Sequence, residues 1–166
     1  MENSILTEVA KDLKSKKITV RREFDTALDL VWRAWTESKL LDQWWAPKPW
    51  IAETKSLKFE EGGYWLYAMR GPDGTKIWCI VEFNSIKRHH SFQAVSSFCD
   101  ENGKKNSEFP TMYWKNVFIS NSTGTRVEIE LSFKEEADLQ TIIDMGFEAG
   151  FTSALTNLDE LLAKNE

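Results

Sequence analysis

From Lys17 onward, apolar side chains recur at every second position. Ile18, Val20 and Phe24 alternate with polar and charged neighbours, and Arg22 stands where the next apolar residue belongs. A period of two places such residues on one face of a strand. The pattern changes at Asp25-Thr26, whose short side-chain oxygens can cap a helix by accepting a free first-turn N–H. Leu28, Val31, Trp32 and Trp35 then fall at i, i+3, i+4 and i+7, one helical face. Thr36-Glu37-Ser38 interrupts the spacing, and Ser38 is positioned to cap a second short helix carrying Leu40, Leu41, Trp44 and Trp45. Pro47 and Pro49 end it, since proline lacks the N–H and turns its predecessor away from helix.

The middle of the chain is β-rich. Aromatic and β-branched runs cover Ile51–Phe59, Tyr64–Arg70, Lys76–Ile86, Ser91–Cys99, Met112–Ser120 and Thr125–Phe133. Turn-forming residues separate them, as in Gly71-Pro72-Asp73-Gly74 and Asn121-Ser122-Thr123-Gly124. Connections this short predict an antiparallel meander. The polar loop from Asp100 to Pro110 is longer. The chain closes on one predicted helix over 137–163 with a broad apolar face, in which Gly146, Gly150 and Ala154 recur at every fourth residue. Glycine in a helix costs about 1 kcal/mol relative to alanine. Either a neighbouring backbone comes close there, or the missing side chains leave room for a ligand. Residues 1–16 are polar with a weak helical spacing of Ile5, Leu6, Val9 and Leu13. They read as a partly ordered N-terminal extension, a helix or a loose segment, ahead of a single domain over 17–166.

The stretch Phe24 to Trp50 holds Trp32, Trp35, Trp44, Trp45 and Trp50, five of the chain's eight tryptophans. Each buries a large apolar area and carries one N–H that needs a partner. Two short helices so furnished cap something apolar, either a solid core or a hollow one.

Composition narrows the classes. At 166 residues with a formal net charge of −5, the chain fits one domain that repels nucleic acid and anionic membranes. The opening MENSILTEVAKDL carries acids and no long apolar run, which predicts no signal peptide, and no stretch has the length of a membrane span. Cys79 and Cys99 have no metal-ligand spacing and read as reduced thiols, consistent with a cytoplasmic location.

Three stretches carry a resemblance: ITVRREFDTALDLVWRAWTESKLLDQWWAP, FEEGGYWLYAMRGPDGTKIW and GFTSALTNLDELL. In this order they resemble the signature segments of the family related to the activator of the heat-shock-protein-90 ATPase, within the START and birch-pollen-allergen (SRPBCC) superfamily. The likeness covers about residues 17–164. Ala27 and Phe151 stand where the family usually has proline and tryptophan. The resemblance implies an α+β helix-grip fold, in which a curved antiparallel sheet wraps a long C-terminal helix, with two short helices between strands 1 and 2. It also implies a cavity between sheet and helix.

Within that frame Tyr67, Met69, Trp78, Met112, Trp114, Phe147 and Gly150 are the candidate cavity-lining residues, each equally suited to an ordinary core. Glu82 is a carboxylate inside the apolar run Ile77–Phe83, so it is either a polar anchor in the cavity or an outward-facing residue. Glu53, Tyr64 and Asn116 are further polar candidates. His89 and His90 fall in a turn with no carboxylate near them in sequence and read as exposed. No nucleophile elbow, phosphate loop or metal-ligand set is present, so no catalytic residue, metal or cofactor is assigned. The leading expectation is a domain that holds a small hydrophobic or amphipathic molecule. The second is a co-chaperone-like module that binds a chaperone or other protein through the sheet's outer face, and the third a cyclase or hydrolase of the same superfamily. An internal cavity with a buried polar group favours the first and third, and a filled core with an exposed apolar patch favours the second.

Overall fold

The computed structural model describes residues 7–164. Eight strands form one curved antiparallel sheet: β1 (Thr7–Asp12), β2 (Lys17–Phe24), β3 (Ile51–Leu57), β4 (Tyr64–Arg70), β5 (Lys76–Lys87), β6 (Ser91–Cys99), β7 (Met112–Asn121) and β8 (Gly124–Ser132). The helices are α1 (Leu28–Thr36), α2 (Ser38–Trp44), α3 (Glu136–Asp144) and α4 (Phe147–Lys164). The sheet order is β1-β2-β8-β7-β6-β5-β4-β3. Hairpin connections join β3 through β8, while α1 and α2 carry the chain from β2 to the far edge of the sheet. This is the expected α+β helix-grip arrangement.

Strand periodicity decides which face is buried. Val127, Ile129 and Leu131 of β8 are buried, opposite Arg22, Val20 and Ile18 of β2. Their neighbours Arg126, Glu128 and Glu130 face outward and join ion pairs with Glu23, Arg21 and Lys17. Arg22, which seemed to interrupt the apolar pattern, continues it: the side chain is 1% exposed, lies over the Phe24 ring and bonds Asp159 of α4.

The helices pack on the inner face. Trp32, Trp35 and Trp44 are buried, and the Trp44 indole N–H donates to the Ala34 carbonyl at 2.8 Å. Asn157 of α4 donates to the Ala46 carbonyl at 2.9 Å, tying α4 to the end of α2.

Three expectations are corrected. The weak helical spacing near the N-terminus gives way, over Thr7–Asp12, to a strand paired with β2; Ile5 and Leu6 lie outside the described residues. Neither early helix has a side-chain cap: Ala27 and Glu37 occupy the caps, and Ser38 is already helical. The helix over 137–163 is two helices, because Gly146 adopts φ +88 and its N–H closes on the Ile143 carbonyl at 3.0 Å. A left-handed glycine just past the last turn ends a helix. Gly146 is therefore a terminator, and Gly150 sits inside α4.

Candidate functional site

Between the inner face of the sheet and the helices lies a cavity of about 240 Å³. Its strand walls follow from register. The cross-strand pairs Trp65↔Val81, Tyr67↔Cys79, Val81↔Ser96, Ala94↔Trp114 and Phe92↔Asn116 stack across β4 to β7 and put all these side chains on one face. Trp35 of α1, Trp45 at the end of α2 and Phe151 of α4 complete the wall. Ile142, Met145, Phe147 and Gly150 line it from the α3–α4 side, and Pro47 and Pro110 from the loops. Met145 is 51% exposed, so the cavity opens to solvent beside the α3–α4 link.

The wall is largely apolar, aromatic rings are its commonest constituent, and Trp45 is their hub. The Trp45 ring lies 5.2 Å from Trp44, 5.5 Å from Trp65, 5.8 Å from Trp114 and 6.0 Å from Phe151. The contacts with Trp44, Trp65 and Phe151 are edge-to-face and that with Trp114 is tilted; aromatic pairs of this kind add about 0.5–1.5 kcal/mol each beyond area burial, so the lining is a held arrangement. Its polar groups are few. Trp45 Nε1–H donates to the Tyr67 hydroxyl at 2.8 Å, and Trp114 Nε1–H to the Ser96 hydroxyl at 2.9 Å. Trp35 Nε1 and Asn116 Oδ1 are buried with no hydrogen-bond partner. Burial pushes the Cys79 thiol up to about 12 and holds the Tyr67 phenol well above its usual range. Both groups are protonated at neutral pH. The described lining residues include no carboxylate, imidazole, amine or guanidinium.

Of the residues singled out from sequence, Tyr67, Met69, Met112, Trp114, Phe147 and Gly150 lie together on this wall. Trp78 and Glu82 do not, which corrects their assignment. They occupy even positions of β5, whereas Cys79, Val81 and Phe83 at odd positions face the cavity. Outside, Glu82 pairs with Lys105 at 2.5 Å, and Lys55 and Lys76 sit over the Trp78 ring at 5.7 and 5.9 Å. Glu53 is also outside the cavity, pairing with Arg70 at 2.8 Å and lowered by it, and Tyr64 is 36% exposed. Asn116 does line the cavity and is 2% exposed. His89 is in the turn as expected, yet the fold brings Asp29 to 3.3 Å and packs the imidazole 5.7 Å from Trp32. Cys79 and Cys99 are free thiols. They face opposite sides of the sheet, because Cys99 is paired with Trp78 and Cys79 with Phe98. Among the described residues no group of side chains is suited to hold a metal ion.

Sequence reasoning missed Trp35, Trp45 and Phe151 as wall residues, having placed the tryptophans in a cap. It also missed Val81 and Phe83. Strand parity was the available signal: with Cys79, Val81 and Phe83 on one face of β5, Glu82 must lie on the other.

Comparison with known proteins agrees with this geometry. The family model described as Activator of Hsp90 ATPase homolog 1-like protein matches residues 25–163. A solution structure of a protein from Arthrobacter aurescens is 29% identical, with 96% of this chain and 92% of that one covered and a TM-score of 0.90. A crystal structure of a Mycobacterium smegmatis protein is also 29% identical, over 94% and 96% of the two chains, with a TM-score of 0.87. A Nitrosomonas europaea protein is 26% identical over 91% and 96%, with a TM-score of 0.80. No curated protein matches. With a grip-shaped sheet, an aromatic cavity beneath its helices and a family match spanning most of its length, this chain belongs to the Activator of Hsp90 ATPase homolog 1-like family.

Proposed function

We propose that this protein is a binding domain that holds a small, largely apolar molecule non-covalently in the cavity under α3 and α4, acting in the cytoplasm. One observation carries the reading: beneath α3 and α4 lies an open-mouthed cavity of about 240 Å³ whose lining side chains are mostly apolar. Small-molecule sites are concave and apolar with a few orienting polar groups, and this wall has that character. Non-covalent binding is supported by the state of its polar groups. A thiol raised to about 12 and a phenol raised by burial supply neither nucleophile nor base at neutral pH. The outer face of the sheet gives less support to protein docking, since ion pairs such as Arg21–Glu128, Lys17–Glu130 and Arg126–Glu23 cover the β2–β8 region.

Titration with N-phenylnaphthylamine, a neutral fluorophore that brightens in apolar surroundings, tests the reading. Saturable one-to-one enhancement, suppressed by filling the cavity at Gly150, is the expected result. Enhancement that never saturates, or that Gly150→Leu leaves unchanged, would overturn it.

A further inference from the structure

The cavity has a closed end and an open end, and strand register shows which is which. Phe83 of β5 pairs with Ala94 of β6, and Phe92 of β6 with Asn116 of β7, so these lining residues sit together. All are buried, as is Trp35 of α1, whose ring lies 5.8 Å from Phe118 of β7. Toward the opposite end of the strands the lining loses its cover. Met69 is the last residue but one of β4, Phe98 the last but one of β6 and Met112 the first of β7, and each is half-buried. β8 ends at Ser132 opposite Tyr113, so the chain enters α3 at this same end. The exposed members of the described lining, Met145 and Gly146, form the α3–α4 link, and the Phe147 ring just beyond them lies 6.4 Å from Trp114.

Charge and size then decide how a ligand can lie. No described lining residue carries an ionised side chain. A charged or strongly hydrated group drawn to the closed end would lose its water and gain no counter-charge. At the mouth the same group keeps its water. An apolar cavity of about 150 Å³ accommodates benzene, so one of about 240 Å³ has room for roughly eight to ten carbon atoms.

We infer that the cavity takes a single-headed amphiphile end-on, its apolar segment reaching toward Phe83 and Phe92 and its polar or charged head left in solvent beside Met145. The wall reads the apolar segment and leaves the head unread. Heads of either charge are therefore accepted, and a molecule charged at both ends is refused. The inference rests on the binding-domain reading above and adds the class of ligand and its direction of entry.

Displacement of N-phenylnaphthylamine tests it. Octanoate, octyltrimethylammonium and octyl glucoside, kept below their micelle concentrations, share an octyl-length chain and carry an anionic, a cationic or a bulky neutral head. Each is expected to displace the dye, with affinities within roughly tenfold of one another. Octanedioate, charged at both ends, is expected to bind at least roughly a hundredfold more weakly than octanoate. An octyldimethylammonium probe with a nitroxide on its head should broaden the Met145 methyl signal more than the Trp35 indole signal, each identified by its loss in Met145→Leu or Trp35→Phe. Met145→Lys should shift preference toward octanoate and Met145→Glu toward octyltrimethylammonium, each by roughly threefold. Octanedioate binding as tightly as octanoate, a Trp35 signal broadened more than that of Met145, or a head preference that neither charged variant moves would overturn the inference. Failure of every octyl compound to displace a bound dye would overturn it too, and in all these cases dye binding leaves the binding-domain reading standing. A dye that does not bind at all would sink both.

Discussion

The indole N–H of Trp45 donates to the phenolic oxygen of Tyr67 across 2.8 Å. Trp45 is the C-cap of α2 and Tyr67 lies in β4, so this bond fastens the tryptophan-bearing cap to the cavity wall. Burial holds the Tyr67 hydroxyl well above the usual phenol range and keeps it neutral. Tyr67→Phe leaves a partly buried indole N–H without its acceptor. The expected cost is about 1–2 kcal/mol, read from urea denaturation. An unchanged midpoint would show that the indole finds water as easily as it found the phenol.

Arg22 and Asp159 make another link between sheet and helix, from β2 to α4. Arg22 is 1% exposed and Asp159 about a third exposed. Burial raises the Asp159 carboxyl, and Arg22 only partly pulls it back. Desolvation is therefore not fully offset by attraction. Asp159→Ala should destabilise by roughly 3 kcal/mol, because it strands a buried guanidinium. The double replacement Arg22→Met with Asp159→Leu should recover most of that loss, since an apolar pair carries no desolvation penalty. A double variant as unstable as Asp159→Ala would show that the ion pair itself stabilises the fold.

The thiols predict a pH limit. Burial raises Cys79 to about 12 and Cys99 to about 11, against 9.0 for a free thiol. A group whose folded pKa is raised contributes stability that is complete below the unfolded value and is lost as pH rises. Stability should therefore fall from about pH 9 upward, and a Cys79→Ala, Cys99→Ala variant should lose less across that window. At mildly alkaline pH the folded Cys99 should react with an aromatic disulfide more slowly than in urea, because its raised pKa leaves a smaller thiolate fraction. Cys79 should be slower still. Equal rates in the folded and unfolded chain would show both thiols to be exposed.

The fold was readable because its signals are periodic. Val127, Ile129 and Leu131 announce an inner face by alternation, and Val31, Trp32 and Trp35 a helical stripe by spacing. The site was less readable because it depends on which of two faces each strand turns inward. Glu82 and Val81 are neighbours in one apolar run, and only the pairing Val81↔Trp65 and Val81↔Ser96 shows that Val81 faces the cavity. The hollow itself is a property of packing, set by how far Trp45 and Phe151 reach from two helices, and no local pattern encodes it. Asp29 beside His89 has the same origin, since the fold brings together two residues far apart in the chain.

Gly150 offers the sharpest test of the hollow core. A Cβ built there would meet only Pro47 Cγ, at 3.8 Å, an ordinary contact. Close backbone packing is thus not what calls for the glycine. Gly146 differs, because its φ of +88 is a conformation that L side chains rarely adopt. Ala154 differs again, being 1% exposed within the packed core. Gly150→Leu gains about 1 kcal/mol of helix propensity and extends its side chain from a residue on the cavity wall. Its melting temperature should match or exceed that of wild type, while affinity for N-phenylnaphthylamine falls at least roughly tenfold. Gly146→Leu should instead lower the melting temperature, since a left-handed residue with a side chain costs about 1–2 kcal/mol. Thermal melts and dye titrations of the two variants, side by side, give opposite orders if the space beneath α4 is real. A melting temperature lost in Gly150→Leu as well would mean that the wall closes on itself there, and the hollow-core reading would fail at its central point.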